Sequence, residues 1–178
     1  MIYYRLLFTV LLVLFSLPSY ASRGPIFVDN FDDGDTEGWT VVDEGADTSQ
    51  WDVSNGEYVQ LTNIYSLDAS WSGTYAYTGG AWKDYTLNVR MKSSDDDGIG
   101  VMFHFQDSDN YYRFVWQTDT HLHGRRVREI AKKRHGRWSV LATESVGYST
   151  NTWYSVMIML TGTNIKLYID EGGAYFGV

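Results

Sequence analysis

A predicted hairpin places five hydrogen-bonding side chains on one face of a β-sheet. Two segments in which polar and apolar residues alternate, 99–106 and 111–117, flank a four-residue loop of Asp, Ser and Asn, which are frequent turn formers. If Gln106 opposes Tyr111 across this hairpin, residues of one parity share a sheet face. That face carries His104, Gln106, Tyr111, Arg113 and Gln117.

The residue types on this face suit a ligand rich in hydroxyl groups. Arginine, histidine and glutamine side chains donate hydrogen bonds to hydroxyl oxygens, and a tyrosine ring offers an apolar surface to the C–H face of a sugar. Trp82, on a turn-rich segment, is a candidate for further stacking at the rim. The alternative is that neighbouring strands or loops cover the face and that Trp82 belongs to the core, where most tryptophans are highly buried.

A basic segment follows this hairpin. Half of the 14 Lys and Arg residues lie between positions 125 and 137, namely Arg125, Arg126, Arg128, Lys132, Lys133, Arg134 and Arg137. Because a guanidinium group can form two hydrogen bonds at once to a carboxylate or sulfate, the segment predicts an anionic polysaccharide as partner, with Arg126 as a candidate contact. The alternative is a solvated edge strand whose charges prevent pairing with other sheets.

The elements that must position these residues are β-strands. Runs rich in β-branched and aromatic residues alternate with turn signals at short intervals, and Asn55-Gly56 marks a tight hairpin within residues 51–61. Many short strands at this spacing predict an all-β fold, an antiparallel β-sandwich. The other predicted strands are Tyr85 to Lys92, Ile99 to Gln106, Tyr111 to Gln117, Arg125 to Ala131, Trp138 to Thr143, Trp153 to Leu160 and Ile165 to Ile169.

The hairpin of residues 99–117 also defines a predicted core face. In the register assumed above, His104 opposes Arg113 and Met102 opposes Val115. Apolar side chains of the other parity then point together, away from the polar face. They are Val101, Phe103, Phe105, Tyr112, Phe114 and Trp116.

Residues 1–21 have the features of a secretory signal peptide. Arg5 precedes an apolar run from Leu6 to Leu17, and Ala21 supplies a small residue for cleavage. The run is shorter than the roughly 20 apolar residues that span a bilayer, so no transmembrane segment is expected after cleavage. The expected location is secreted, periplasmic or at the cell surface, and residues 22–178 have the length of a single domain.

Charge and cysteine content narrow the classes of partner and site. The formal net charge of −8 argues against nucleic acid as a ligand, and the lack of cysteine excludes disulfides and thiolate metal sites. Acidic clusters at 29–35 and at 95–97, the latter including Asp95 and Asp97, carry the oxygen ligands that Ca²⁺ prefers. The alternative is that both clusters are solvated turns.

Several segments resemble bacterial laminin-G-like, concanavalin-type jelly-roll domains. The stretch from Asp95 to Phe114 is similar to their central hairpin, and also to the thrombospondin C-terminal domain and to fructan-binding modules. Further similar segments are 29–34, 38–42, 82–87, 153–154 and 165–170. The resemblance implies a jelly-roll β-sandwich, and it leaves the ligand open because this fold serves lectins, adhesion domains, lyases and hydrolases alike.

The resemblance also implies a structural calcium ion. In such domains calcium commonly ties the first strand to the closing strand, which makes Asp29 and Asp32 candidate ligands. Two departures weaken the likeness. His104 stands where similar domains usually place Arg, and the usual closing Asp pair is missing after Asp170, which implies that some strands of the family pattern are deleted.

The sequence gives little support for a catalytic function. The sequence has no Glu-x-Asp-x-x-Glu, Gly-x-Ser-x-Gly or His-Glu-x-x-His pattern, and His121 and His123 lack a third zinc ligand. We therefore predict a secreted, non-catalytic module that binds a carbohydrate or acts in adhesion. The alternatives are a glycosidase-like enzyme, a polysaccharide lyase with His104, Tyr111 and Arg113 as base, acid and charge neutraliser, or a structural protein-interaction domain.

Overall fold

The polypeptide is all-β, as predicted. The computed structural model describes residues 24–44, 47–64, 73–119, 126–170 and 174–177, the last four as backbone only. These ranges contain twelve strands and no helix, so no helix within them is able to cross a membrane. The predicted leader at 1–21, together with His121, His123 and Arg125, lies outside the described residues.

The strands are short and form antiparallel pairs. In chain order they are β1 (Thr40–Asp43), β2 (Trp51–Ser54), β3 (Glu57–Gln60), β4 (Thr74–Tyr77), β5 (Tyr85–Met91), β6 (Ile99–Asp107), β7 (Asn110–Gln117), β8 (Val127–Arg134), β9 (Arg137–Glu144), β10 (Tyr154–Thr161), β11 (Asn164–Ile169) and β12 (Ala174–Gly177). Two sheets have four strands, in the orders β6-β7-β8-β9 and β12-β11-β10-β5, and two more are the pairs β1-β4 and β2-β3.

The hydrophobic core lies between the two four-stranded sheets. Alternate residues of β10 and β11 point inward, and Ile158 and Leu167 are completely buried. From the other sheet, Trp116 and Ile130 are buried to the same degree and join the same cluster. Two antiparallel sheets that share one apolar layer make a β-sandwich, which confirms the predicted fold class.

The basic segment does not form an edge strand. Strand β8 pairs with β7 on one side and β9 on the other, so the interpretation of this segment as a solvated edge is wrong. Arg128 and Lys133 are buried, and the Arg128 guanidinium lies 2.5 Å from a Glu144 carboxylate oxygen on β9. Among the described strands, the edges of this sheet are β6 and β9.

The β6–β7 hairpin contains a bulge that changes the predicted register. Four steps along β6, from Phe103 to Asp107, face two steps along β7, from Asn110 to Tyr112, so β6 carries two extra residues. His104 lies in this irregular stretch with a positive φ of 48°, a conformation that few residues other than glycine adopt.

The predicted pairs are therefore wrong beyond the turn. Arg113 lies opposite Met102 rather than His104, and Val115 lies opposite Gly100 rather than Met102. Because the shift is an even number of residues, the side chains on either side of the bulge keep the predicted sheet faces.

Within the bulge, two neighbouring side chains exchange faces. The Phe105 ring, predicted for the core, lies 5.8 Å from the Tyr111 ring and 4.7 Å from the Tyr77 ring, measured between centroids. The His104 ring, predicted beside Tyr111, lies instead 5.9 Å from the Tyr112 ring. The left-handed backbone at His104 accounts for the exchange, since it interrupts the alternation of a regular strand.

Two short strands, β4 and β12, were not predicted from the sequence. Strand β4 pairs with β1, and β12 pairs with β11 along the register Lys166 to Gly177 through Ile169 to Ala174. Each has four residues, too few for alternation to be recognised.

We expect Gly100→Ala to destabilise the sandwich, because a Cβ at this position would overlap the backbone carbonyl oxygen of Phe114 on β7. The expected loss is about 1–3 kcal/mol of unfolding free energy, measured by urea denaturation. Gly98→Ala is the matched control: its Cβ would meet only the Val115 side chain at 3.6 Å, and the expected change is within about 0.5 kcal/mol. Equal effects of both substitutions would contradict this packing.

Candidate functional site

A groove opens at the end of the first four-stranded sheet, beside its two hairpin turns. Its volume is about 340 Å³. The lining residues come from β6, β7, β8 and the turn after β8: His104, Gln106, Asn110, Tyr111, Tyr112, Lys132, Lys133, Arg134 and His135. Three of the predicted ligand residues, His104, Gln106 and Tyr111, therefore meet here with part of the basic segment.

The rim of the groove is held in place by hydrogen bonds between the two turns. The His135 backbone N–H donates to Asn110 Oδ1 at 3.2 Å, and the Gly136 N–H donates to the Asp109 carbonyl oxygen at 3.2 Å. Asn110 Nδ2 in turn donates to Asp107 at 2.8 Å, and this bond is the main reason that the Asp107 pKa is lowered. Such contacts pre-organise the rim before a ligand arrives.

The groove is cationic although the protein is acidic. Lys132, Lys133 and Arg134 line it, and no carboxylate side chain is among the lining residues in the described part of the chain. The Lys132 ammonium lies 5.1 Å from the centroid of the Tyr112 ring, within the range of a cation–π contact. Arg134 is exposed at the rim, so a negatively charged ligand group can reach it.

The bulge determines where His104 points within the groove. Its ring lies 5.6 Å from the Tyr85 ring, and its backbone N–H donates to the Tyr85 hydroxyl oxygen at 3.0 Å. Burial raises the pKa of that tyrosine. His104 thus lies on the Tyr112 side of the sheet, whereas Arg113 has the opposite parity, so the predicted base and charge neutraliser of a lyase do not converge.

The face predicted as an open ligand platform is largely a packing layer. Tyr111 is only 2% exposed, and its ring meets the Trp138 ring edge-on at 5.4 Å. The Arg113 guanidinium carbon lies 3.8 Å from the centroid of Trp138, and burial lowers the pKa of this arginine. Tyr75 and Tyr77 of β4 cover Phe105 on the same face, and burial raises the pKa of Tyr75 to about 12.

The remaining predicted ligand residues lie away from the groove. Gln117 pairs with Val127 at the opposite end of β7, about 20 Å from Tyr111 at the usual rise per residue. Arg126 lies at that same end, where its Nε donates to Thr118 Oγ1 at 3.4 Å. Trp82 packs over Gly79 and next to Tyr85, one ring away from His104.

Sequence patterns missed the convergence of the two turns. Asn110 and His135 line the groove but were treated as turn residues, because the pairing of β7 with β8 and the hydrogen bonds that join the β6–β7 and β8–β9 turns cannot be read from the sequence. Lys132 and Lys133 were recognised as basic, yet not as neighbours of Tyr111 and Tyr112. The sequence feature that could have indicated the groove was the high density of Lys and Arg residues beside two predicted turns.

Comparison with known proteins shows the family. The family model described as the 3-keto-alpha-glucoside-1,2-lyase-like domain matches residues 27–172. The chain belongs to this lyase-like family. No curated protein sequence gives a significant match.

A solved structure supports the fold of this lyase-like domain. The carbohydrate-binding module CBM66 from Bacillus subtilis superposes with a TM-score of 0.60 and 16% sequence identity, over 79% of this chain and 78% of that one. At this identity the likeness shows that the two share a β-sandwich fold. The attribution to laminin-G-like domains in particular stays a prediction.

The first pair of predicted calcium ligands has structural roles in the lyase-like domain. Asp29 accepts hydrogen bonds from the Phe31 N–H at 2.9 Å and from the Trp39 indole at 2.6 Å. Asp32 accepts a hydrogen bond from the Asn30 side-chain amide at 2.7 Å. Among the described residues, no group of three or more His, Cys, Asp or Glu side chains is placed to hold a metal ion. Calcium binding by Asp29 and Asp32 stays a prediction.

The second pair lies in a crowded acidic loop. The Tyr148 hydroxyl lies within hydrogen-bond distance of two backbone carbonyl oxygens in this loop, that of Asp95 at 2.7 Å and that of Asp97 at 2.5 Å. Burial, followed by repulsion from Asp95, Asp119 and Asp96, raises the pKa of Asp97. Calcium binding at this loop stays a prediction that a stability measurement can test.

We expect Asp97→Asn to raise the melting temperature at pH 7 in EDTA. A raised folded-state pKa means that the ionised carboxylate destabilises the native state above that pKa, and that this penalty disappears once the group is protonated in both states. The melting temperatures of the variant and the wild type should therefore coincide near pH 3. Asp52→Asn, on an exposed position of β2, is the control.

Calcium chloride adds a second comparison to the same measurement. If the loop holds calcium, the ion raises the melting temperature of the wild type and Asp97→Asn loses that gain. A variant less stable than the wild type in EDTA at pH 7 would contradict the repulsion derived above.

Proposed function

We propose that this member of the lyase-like family binds an acidic saccharide in the groove between its two hairpin turns. The observation that carries the proposal is the cationic lining in a chain of net charge −8. A local positive field within an acidic surface selects an anionic ligand and steers it to this groove. Glycans with carboxylate or sulfate groups have that charge, and the predicted leader would bring the domain to where such polymers occur.

The lining provides the contacts that such a saccharide needs. Arg134 and Lys132 would form charge-assisted hydrogen bonds to carboxylate or sulfate oxygens. Gln106 and Asn110 carry amide groups that both donate to and accept from hydroxyl groups. Tyr112 adds an aromatic ring at the groove, partly buried between Lys132 and His104.

The size of the groove supports recognition of a short segment of a glycan. Its volume of about 340 Å³ lies at the small end of the range for ligand sites in proteins. Because the rim is fixed by backbone hydrogen bonds at His135 and Gly136, binding requires little ordering of the protein. The domain would thus act as a binding or adhesion module.

We expect a hexamer of galacturonate and a heparin-derived hexasaccharide to shift the amide resonances of Gln106, Lys132 and Arg134 in a titration followed by ¹H–¹⁵N NMR. Neutral maltohexaose should leave these groove resonances unchanged. Affinity should fall as salt is added, because the ligand contacts are between charges near solvent. Including EDTA in one arm separates groove binding from calcium.

Arg134→Ala should weaken the binding of the acidic hexamers about tenfold, which corresponds to one charge-assisted hydrogen bond of about 1.4 kcal/mol. Lys166→Ala removes an exposed charge from the other four-stranded sheet and is the matched control. Equal effects of the two substitutions, or binding of neither hexamer, would overturn the proposal.

The family description favours elimination at a 3-keto-glycoside as a second candidate. A ketone at C3 makes the C2 proton acidic; a base removes this proton, the C1–O bond breaks, and the released alkoxide is protonated. Two imidazoles, His104 and His135, line the groove, and histidine is the side chain best suited to move protons near neutral pH.

A chromogenic substrate separates the two candidates. Under the elimination candidate, the wild type releases nitrophenol from p-nitrophenyl 3-keto-α-glucoside and His104→Gln loses that activity. Release by the wild type at the rate of buffer alone contradicts elimination and leaves the binding function.

A further inference from the structure

We infer that the outer face of β5, β10 and β11 carries a second saccharide site, one for neutral sugars. A trough of about 530 Å³ crosses these strands on the sheet opposite to the cationic groove. The side chains that point outward from this sheet and line the trough are Asn88, Arg90, Ser155, Met157, Tyr168 and Asp170. Nothing in the proposed function of the groove depends on this surface.

Strand register brings the trough residues together in two rows. Met157 of β10 lies directly opposite Asn88 of β5 on one side and Tyr168 of β11 on the other. In the adjacent row Ser155 lies opposite Arg90, and its carbonyl oxygen accepts the Asp170 N–H at 3.0 Å. Directly opposed residues share a sheet face, so the row that contains Met157 and Tyr168 runs beside the polar row of Arg90 and Ser155.

This pairing matches the two surfaces of a pyranose ring. Met157 and the half-buried Tyr168 supply an apolar floor for the C–H face of a sugar. Asn88, Arg90 and Asp170 are exposed along the floor and supply donors and acceptors for hydroxyl groups.

At one end of the trough, Arg90 makes a cation–π contact with the ring of Trp153. The Arg90 guanidinium carbon lies 4.9 Å from the centroid of Trp153, and the Lys92 ammonium lies 4.6 Å from the same ring. Trp153 remains 38% exposed beside them. The cation–π contact favours a placement of the Arg90 side chain beside Trp153, and the Lys92 ammonium also lies 3.8 Å from a Glu57 carboxylate oxygen.

The charges of the lining residues indicate different ligands for the trough and the groove. Among the described lining residues, Arg90 is balanced by Asp170 in the trough, whereas the groove is lined by Lys132, Lys133 and Arg134 and by no carboxylate. A balanced, hydroxyl-bonding surface is complementary to a neutral oligosaccharide and gives no advantage to an acidic one.

The positions of the two sites have a consequence for polymers. The two four-stranded sheets pack face to face about 10 Å apart, and the trough lies on the outer face of one of them. One sugar unit cannot reach both sites. A domain with both sites would therefore join an acidic chain to a neutral chain, as a bivalent link.

The test uses NMR titration of the full chain with three neutral hexamers: maltohexaose, cellohexaose and an inulin-type fructan. At least one of them should shift the resonances of Asn88, Met157 and Tyr168 while those of the groove stay fixed. Tyr168→Ala should weaken that binding about tenfold or more, as expected for the loss of one aromatic–sugar contact. Lys166→Ala, two residues earlier on the same face of β11, should leave it unchanged.

Binding at the trough and binding at the groove can be tested independently. Tyr168→Ala should still bind the galacturonate hexamer in the groove, which shows that the variant is folded, and Arg134→Ala should still bind the neutral hexamer in the trough. No shift at the trough with any of the three hexamers overturns the inference, and so does equal loss of binding in Tyr168→Ala and Lys166→Ala.

Discussion

Burial of apolar side chains between the two four-stranded sheets is the interaction on which the rest of the structure depends. Trp116, Ile158 and Leu167 are completely removed from solvent in this layer. Because side chains alternate along a strand, the residues that enter the layer determine which ones face outward. The outward residues make the trough on one sheet and the aromatic packing layer on the other, so both surfaces follow from the same core.

The bulge in β6 is compatible with this core because it adds two residues rather than one. An odd insertion would have turned Val101 and Phe103 away from the layer, whereas the even one leaves both against it. Its cost is a left-handed backbone at His104. In return, His104 turns toward Tyr85 and Phe105 turns toward Tyr77, and the end of the sheet opens into the groove.

Sequence patterns were sufficient for the parts of the fold that repeat. The alternation in β7, β10 and β11 predicted their strands and the core position of Trp116. The bulge was not predictable from alternation, since neither His104 nor its neighbours are the glycines that usually signal a positive φ. The site depends on that local departure and on the Asn110 contact between turns. Gln117 and Arg126 were grouped with it because a shared sheet face and a shared basic segment say nothing about distance along the strands.

The geometry of the bulge is the central claim, and a nuclear Overhauser experiment on the free protein tests it most directly. We predict cross-peaks from the Phe105 ring to the Tyr77 and Tyr111 rings, and from His104 to Tyr85. Cross-peaks from Phe105 to the core instead, with His104 beside Arg113, would show a regular hairpin and contradict the account.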